Sequence, residues 1–185
     1  QTSESGAPKE DVKNLQVYGY DDQGKPTSYY KNQYDDAGNL VMNSNYNSKG
    51  ELLGSTKYEY NSKGQETKFV VYDAFGKVQS QGQKEYDSKD RLIQYTDIDK
   101  DGNVKSIIKR EYDDKTGKET RVLNYDSEGN LVTYEEYEYD AEGNNTKLTK
   151  YDSKGKVKYY IEYTKDENGK EISTRYDAEG NVISE

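Results

Sequence analysis

The side chains best placed to do chemistry in this chain are carboxylates and phenols. There is no His and no Cys, which removes the commonest general base and the commonest thiol nucleophile. Disulfides and thiolate metal sites go with them. Asp and Glu number 36, enough for paired-carboxylate chemistry. Most of them recur at fixed intervals, however, whereas a catalytic site is a singular arrangement. No enzyme and no cofactor is expected. One string has the spelling of a cation site. Asp97-Ile98-Asp99-Lys100-Asp101-Gly102 sets oxygens at alternate positions ahead of a Gly, as a calcium loop does. The acid that would close such a loop falls at Ile108, which has no oxygen to give. Asp97, Asp99 and Asp101 are thus candidate calcium ligands in a string that otherwise reads as one more turn. Tyr occurs 21 times, and Tyr rings give contact area at low entropic cost. Tyr137 and Tyr159 stand away from the turn positions. They are the candidate ligand-binding residues, suited to a glycan or an extended peptide.

The elements that must carry these residues follow from a repeat. Tyr34-Asp35-Asp36-Ala37-Gly38-Asn39-Leu40 recurs as Tyr125-Asp126-Ser127-Glu128-Gly129-Asn130-Leu131 and as Tyr151-Asp152-Ser153-Lys154-Gly155-Lys156-Val157. Thirteen such turns can be placed, twelve with Gly at the same point and one with Asp90 there. Steps of 14 and 12 residues alternate, giving a 26-residue period with two turns. One residue is inserted in the loop before Gly117, and one is missing before Tyr176.

Turn chemistry accounts for the spelling. A type I turn favours Asp or Asn at its first position and Gly at its fourth. With a left-handed residue at the end it makes a three-residue hairpin loop with a bulge. In Tyr46-Asn47-Ser48-Lys49-Gly50-Glu51-Leu52 the loop is Ser48 to Gly50, with Asn47 facing Glu51 and Tyr46 facing Leu52. Asp90 suits the Gly place because Asp visits the left-handed region more readily than most residues. Removing the loops leaves strands of 11 and 9 residues. Both lengths are odd, and side chains alternate faces with period two. Every turn Tyr is then expected on one face. Tyr46/Leu52, Tyr72/Val78, Ile98/Val104, Tyr125/Leu131, Tyr151/Val157 and Tyr176/Val182 form cross-strand pairs, each contributing about 0.2–1 kcal/mol. The opposite face carries residues such as Phe69, Val122, Tyr134 and Tyr160. Two half-apolar faces predict an all-β, antiparallel meander of 12 to 13 hairpin-linked strands, elongated, twisted and partly single-layered. The alternative is the same sheet curled on itself.

Val, Leu, Ile and Phe together number only 28, and the net charge is −9. Such a composition favours disorder, against which stand the Tyr content and the strict period. The acidic balance excludes nucleic acid, since the 27 basic residues form no cluster of the kind the phosphate backbone requires. No apolar stretch reaches a membrane-spanning length. Residues 1–14 are polar, with Gly6 and Pro8, and read as a flexible tether. Residues 15–185 form the repeat domain. A start of this kind also fits a mature exported chain with a lipid anchor upstream of Gln1.

The spelling Tyr-Asp-x-x-Gly followed by Leu or Val, running from Tyr20 to Val182, resembles the YD repeat of bacterial RHS-type surface and toxin proteins. In that family the strands form shells around toxic cargo, and the repeats also occur in cell-surface proteins. Here Asn or Lys follows the Gly where Arg is common in the family, and the array is too short to enclose a cargo domain. The resemblance implies an extracellular or cell-surface bacterial protein. Its expected role is that of a non-catalytic scaffold, spacer or adhesion module. The alternatives are a carbohydrate- or peptide-binding module that uses the Tyr face, and a fragment of an RHS-like toxin carrier.

Overall fold

A computed structural model describes residues 13–183 of the chain. The thirteen strands are β1 (Lys13–Tyr20), β2 (Pro26–Tyr34), β3 (Leu40–Asn47), β4 (Leu52–Tyr60), β5 (Glu66–Asp73), β6 (Val78–Tyr86), β7 (Leu92–Asp99), β8 (Val104–Tyr112), β9 (Glu119–Tyr125), β10 (Leu131–Tyr139), β11 (Asn145–Asp152), β12 (Val157–Lys165) and β13 (Glu171–Asp177). They follow one another in sequence order in a single sheet, the antiparallel meander that the repeat predicts. β1 begins at Lys13, two residues inside the stretch read as a tether; the rest of that stretch lies outside the described residues. The strands group into two units, one of residues 13–84 with 98–102 and one of 85–97 with 103–183.

The turns are built as their spelling requires. Asn47 N–H donates to the Glu51 carbonyl and Gly50 N–H to the Asn47 carbonyl, each at 3.0 Å, and Tyr46 pairs with Leu52. Asp90 takes the left-handed conformation at φ 66°, in a turn closed by its N–H on the Asp87 carbonyl. A Cβ at Gly129, where φ is 82°, would meet no atom, so Gly is needed there for the backbone angle alone.

The expectation of a single Tyr face fails, and a bulge is the reason. Tyr46 pairs with Leu52, but Asn45 pairs with Gly54. Leu53 is left without a partner, so two residues on β4 oppose one on β3. The same skip falls at Val41, Thr67 and Gln79, and in the second unit at Thr120, Val132, Thr146 and Lys158. One extra residue inverts the alternation of faces. In the first unit the registers put Tyr46 and Tyr72 on one face and Tyr34 and Tyr60 on the other. In the second unit Tyr125, Tyr151 and Tyr176 share a face opposite to Tyr112 and Tyr139. Tyr134 and Tyr160, expected opposite the turn tyrosines, instead stack on Tyr151 and Tyr176 with centroids 4.6 and 4.8 Å apart.

Both length irregularities are absorbed. The inserted residue widens the loop, so that Gly117 N–H closes on the Asp113 carbonyl four residues back. The missing residue is the bulge itself: β12 and β13 pair without a skip. A residue and a bulge lost together leave Tyr176 on the face of Tyr151.

Neither face is a conventional core. Val122 and Leu123 are adjacent and point to opposite faces, yet each is only 7% exposed. Long side chains on the flanking strands cover them. Arg110 and Glu135 lie opposite Val122, and Lys109 and Tyr134 opposite Leu123. Their stems lie over the aliphatic residues, while the charged ends are paired, Arg110 with Glu119 and Glu135 with Lys150, or lie over a ring, as Lys109 does at Tyr125. This is how a chain so poor in aliphatic residues buries any of them.

Candidate functional site

Each turn is held by its first residue. In most turns the Asp or Asn side-chain oxygen accepts the backbone N–H groups two and four residues on, as in Asp73 with Phe75 and Lys77 at 2.8 and 2.9 Å and Asp152 with Lys154 and Lys156 at 2.9 Å; in the longer loop Asp113 takes those two and three on. The residue after Gly often reaches back: Asn39, Asn130 and Asn181 donate their side-chain amides to Asp35, Asp126 and Asp177. These bonds favour the carboxylate form. The side-chain amide of Asn39 leads in holding Asp35 below the ordinary range, and that of Asn144 in holding Asp140 there. For Asp87, Asp126 and Asp152 the leading cause is the backbone N–H of Arg91, Asn130 and Lys156.

The tyrosines divide by turn. Tyr60, Tyr112 and Tyr139 donate their hydroxyls to the carbonyls of Leu40, Leu92 and Glu119 at 2.7–2.8 Å, twenty residues upstream in every case. Each bond ties one turn to the preceding turn on the same side. Lys89 and Arg91 add links to Asp114, and Lys118 to the Gly143 carbonyl. Three of the alternate turns, at Tyr46, Tyr151 and Tyr176, use ring stacking: Tyr29 lies flat on Tyr46, with centroids at 4.9 Å and planes 8° apart. Basic side chains cover many of the rings: Lys31 over Tyr46, Arg91 over Tyr112, Arg121 over Tyr134, Lys147 over Tyr160. Twenty steps between hydroxyl and acceptor leave no local sign in the sequence. The scattered Lys and Arg were the visible trace of the ring covers.

Tyr137 and Tyr159 lie on β10 and β12, on the same face and separated by β11. Both are half-buried. Tyr137 donates to Glu135 at 3.3 Å, and burial, followed by Glu135 and Glu119, pushes its hydroxyl pKa up. Around it stand the pairs Arg110–Glu119 at 2.5 Å and Lys150–Glu135 at 2.7 Å. The Arg175 guanidinium sits 3.9 Å from the centre of the Tyr159 ring. Of the string read as a calcium loop, Asp97 is paired with Lys105 at 3.0 Å and Asp101 with Lys100 at 2.7 Å. Asp99 accepts the Asp101 N–H and closes the Gly102 turn. Among the described residues no three acidic side chains come together as a metal site would need.

No family model matches the chain, and no curated protein matches it. Among solved structures it is similar to a Photorhabdus luminescens Tc holotoxin pore, with 18% identity, a TM-score of 0.36, and coverage of 84% of this chain and 9% of that one. A TcdB2-TccC3 structure matches with 11% identity and a TM-score of 0.38, over 92% of this chain and 13% of the other. A porin-like protein from Bacteroides uniformis matches with 15% identity and a TM-score of 0.33, over 92% and 90%. The chain thus spans a small fraction of the toxin components to which it is similar.

Proposed function

We propose that this chain is a non-catalytic repeat scaffold of the YD type, displayed by a bacterium at its surface as a spacer or adhesion module. The observation that supports this most is the closure of the repeat on itself. At turn after turn the first Asp or Asn caps its own loop, and the tyrosines engage a neighbouring strand or turn. Groups spent in this way build a framework and are poorly placed to turn over a substrate. Protease treatment of intact cells is the test: the protein should be cleaved while cytoplasmic markers survive. A chain that stays protected until lysis would sink the surface reading. Glycan and peptide arrays probe the role of Tyr137 and Tyr159. The scaffold reading expects no ligand whose binding is abolished by Tyr137→Ala with Tyr159→Ala, and such a ligand would replace it with a binding module.

A further inference from the structure

The first unit carries an open groove of about 600 Å³ that breaks the repeat. Tyr30, Asn45, Gly54 and Asp73 stand opposite one another across β2, β3, β4 and β5, in one row on one face. Gly54 is the floor. A Cβ there would lie 2.8 Å from the Tyr72 carbonyl oxygen, so no side chain fills the notch without moving backbone. In the other repeats the same position, four residues after the turn Gly, holds Ser28, Ser80, Ser106, Thr133 or Tyr159. The place that a ring occupies at Tyr159 is empty at Gly54. Tyr30 and the bulge residue Leu53 line the groove and are 40% and 56% exposed. Gln79 lines it too and donates to the second oxygen of Asp73 at 3.1 Å. At the tip of the hairpin that carries Asp73, Phe75 is 88% exposed. The position before the turn Gly is Gln23, Lys49, Lys63 or Glu128 in other turns, so this Phe answers no need of the turn.

One accessible ring, one carboxylate and two amides form a particular donor set. The carboxylate accepts, the amides both donate and accept, and the ring offers a flat apolar surface to the C–H face of a pyranose. No Lys or Arg lines the groove, and the chain's net charge is −9, so an anionic ligand would find nothing to offset its charge. We infer that this groove binds a neutral saccharide, with Tyr30 as the stacking platform and Asn45, Asp73 and Gln79 bonding its hydroxyls.

The test is a titration of the isotope-labelled full chain with cellohexaose, mannohexaose and hexa-N-acetylchitohexaose as neutral probes and with hexagalacturonate as an anionic one. Saturable amide shifts at Tyr30, Asn45, Gly54 and Asp73 are expected with at least one neutral probe and none with the anionic one. Tyr30→Leu and Asp73→Asn should each weaken binding by about tenfold or more, as loss of a central contact does. Asp73→Asn leaves the turn intact, because Asn caps the equivalent turns at Asn47 and Asn61. It therefore decides the matter should Tyr30→Leu fail to fold by circular dichroism. Tyr137→Ala with Tyr159→Ala should leave this binding unchanged. No shift with any neutral probe, shifts with hexagalacturonate alone, or an affinity indifferent to Asp73→Asn would overturn the assignment.

Discussion

At Tyr112 a single hydroxyl links two turns of the sheet. Its bond to the Leu92 carbonyl crosses from one turn to the preceding turn on the same side, and its ring lies under Arg91. Tyr112→Phe keeps the ring and removes the bond, so stability in urea should fall by about 1 kcal/mol, the net worth of one part-buried hydrogen bond. Tyr139→Phe should cost a similar amount. Gly129→Val forces a β-branched residue to positive φ and should cost about 1 kcal/mol or more, with no clash to add because the space is open. Asp90→Gly relieves the one left-handed non-Gly residue among those described and should raise the urea midpoint. A fall would show that the Asp90 side chain matters more than its backbone angle. The turns were legible at this scale because their constraint is local. Tyr-Asp-x-x-Gly spells a loop closed within five residues, while the bonds by which the Asp side chain caps it are seen only in the structure.

The strands were legible in number, direction and partner, but not in face. An odd count between turns put every turn Tyr on one side. The unpaired residue at Leu53, Val132 and their equivalents reverses that, and nothing in the identities of Thr, Val, Leu, Gln or Lys at this position marks a bulge. Stacking of Tyr134 on Tyr151 was hidden for the same reason. The groove at Gly54 was equally out of reach, since it depends on which four residues fall in register. Two bulges per period make the 26-residue unit the smallest piece that can be removed with the faces kept in step. Deleting Gly50 through Phe75 joins Lys49 to Gly76 and should leave a cooperative β protein by circular dichroism and melting. Deleting 50–63 should be far worse, because Tyr46 would then pair with Glu66 from the opposite face and every later strand would follow. Equal folding of the two deletions would refute this bulged register.

Across the whole molecule, titration should bound stability on both sides. The turn carboxyls, Asp35, Asp87, Asp126, Asp140, Asp152 and Asp177 among them, are depressed from an ordinary value of 3.8. A depressed carboxyl stabilises the fold above its unfolded pKa, and the contribution is lost as pH falls through the folded value. Burial raises Tyr60, Tyr112 and Tyr139 from 10.0. Their contribution is complete below about pH 10 and disappears as pH climbs through the raised values. Melting temperature should therefore be flat from about pH 5 to 9 and fall outside it. The acid limb should steepen with the number of turns retained, which the 26-residue deletion can check.

The hydroxyl bonds of Tyr60, Tyr112 and Tyr139, each to the preceding turn on the same side, would also shape how the chain responds to force. Load applied across the sheet meets strands that can leave one at a time, and Tyr60 to Leu40 or Tyr112 to Leu92 acts as a peg that must be drawn before the next hairpin can open. Unravelling would then proceed as a staircase of small events rather than one rupture. Each 26-residue unit would release roughly 90 Å of extended chain, so the array would yield to tension by instalments.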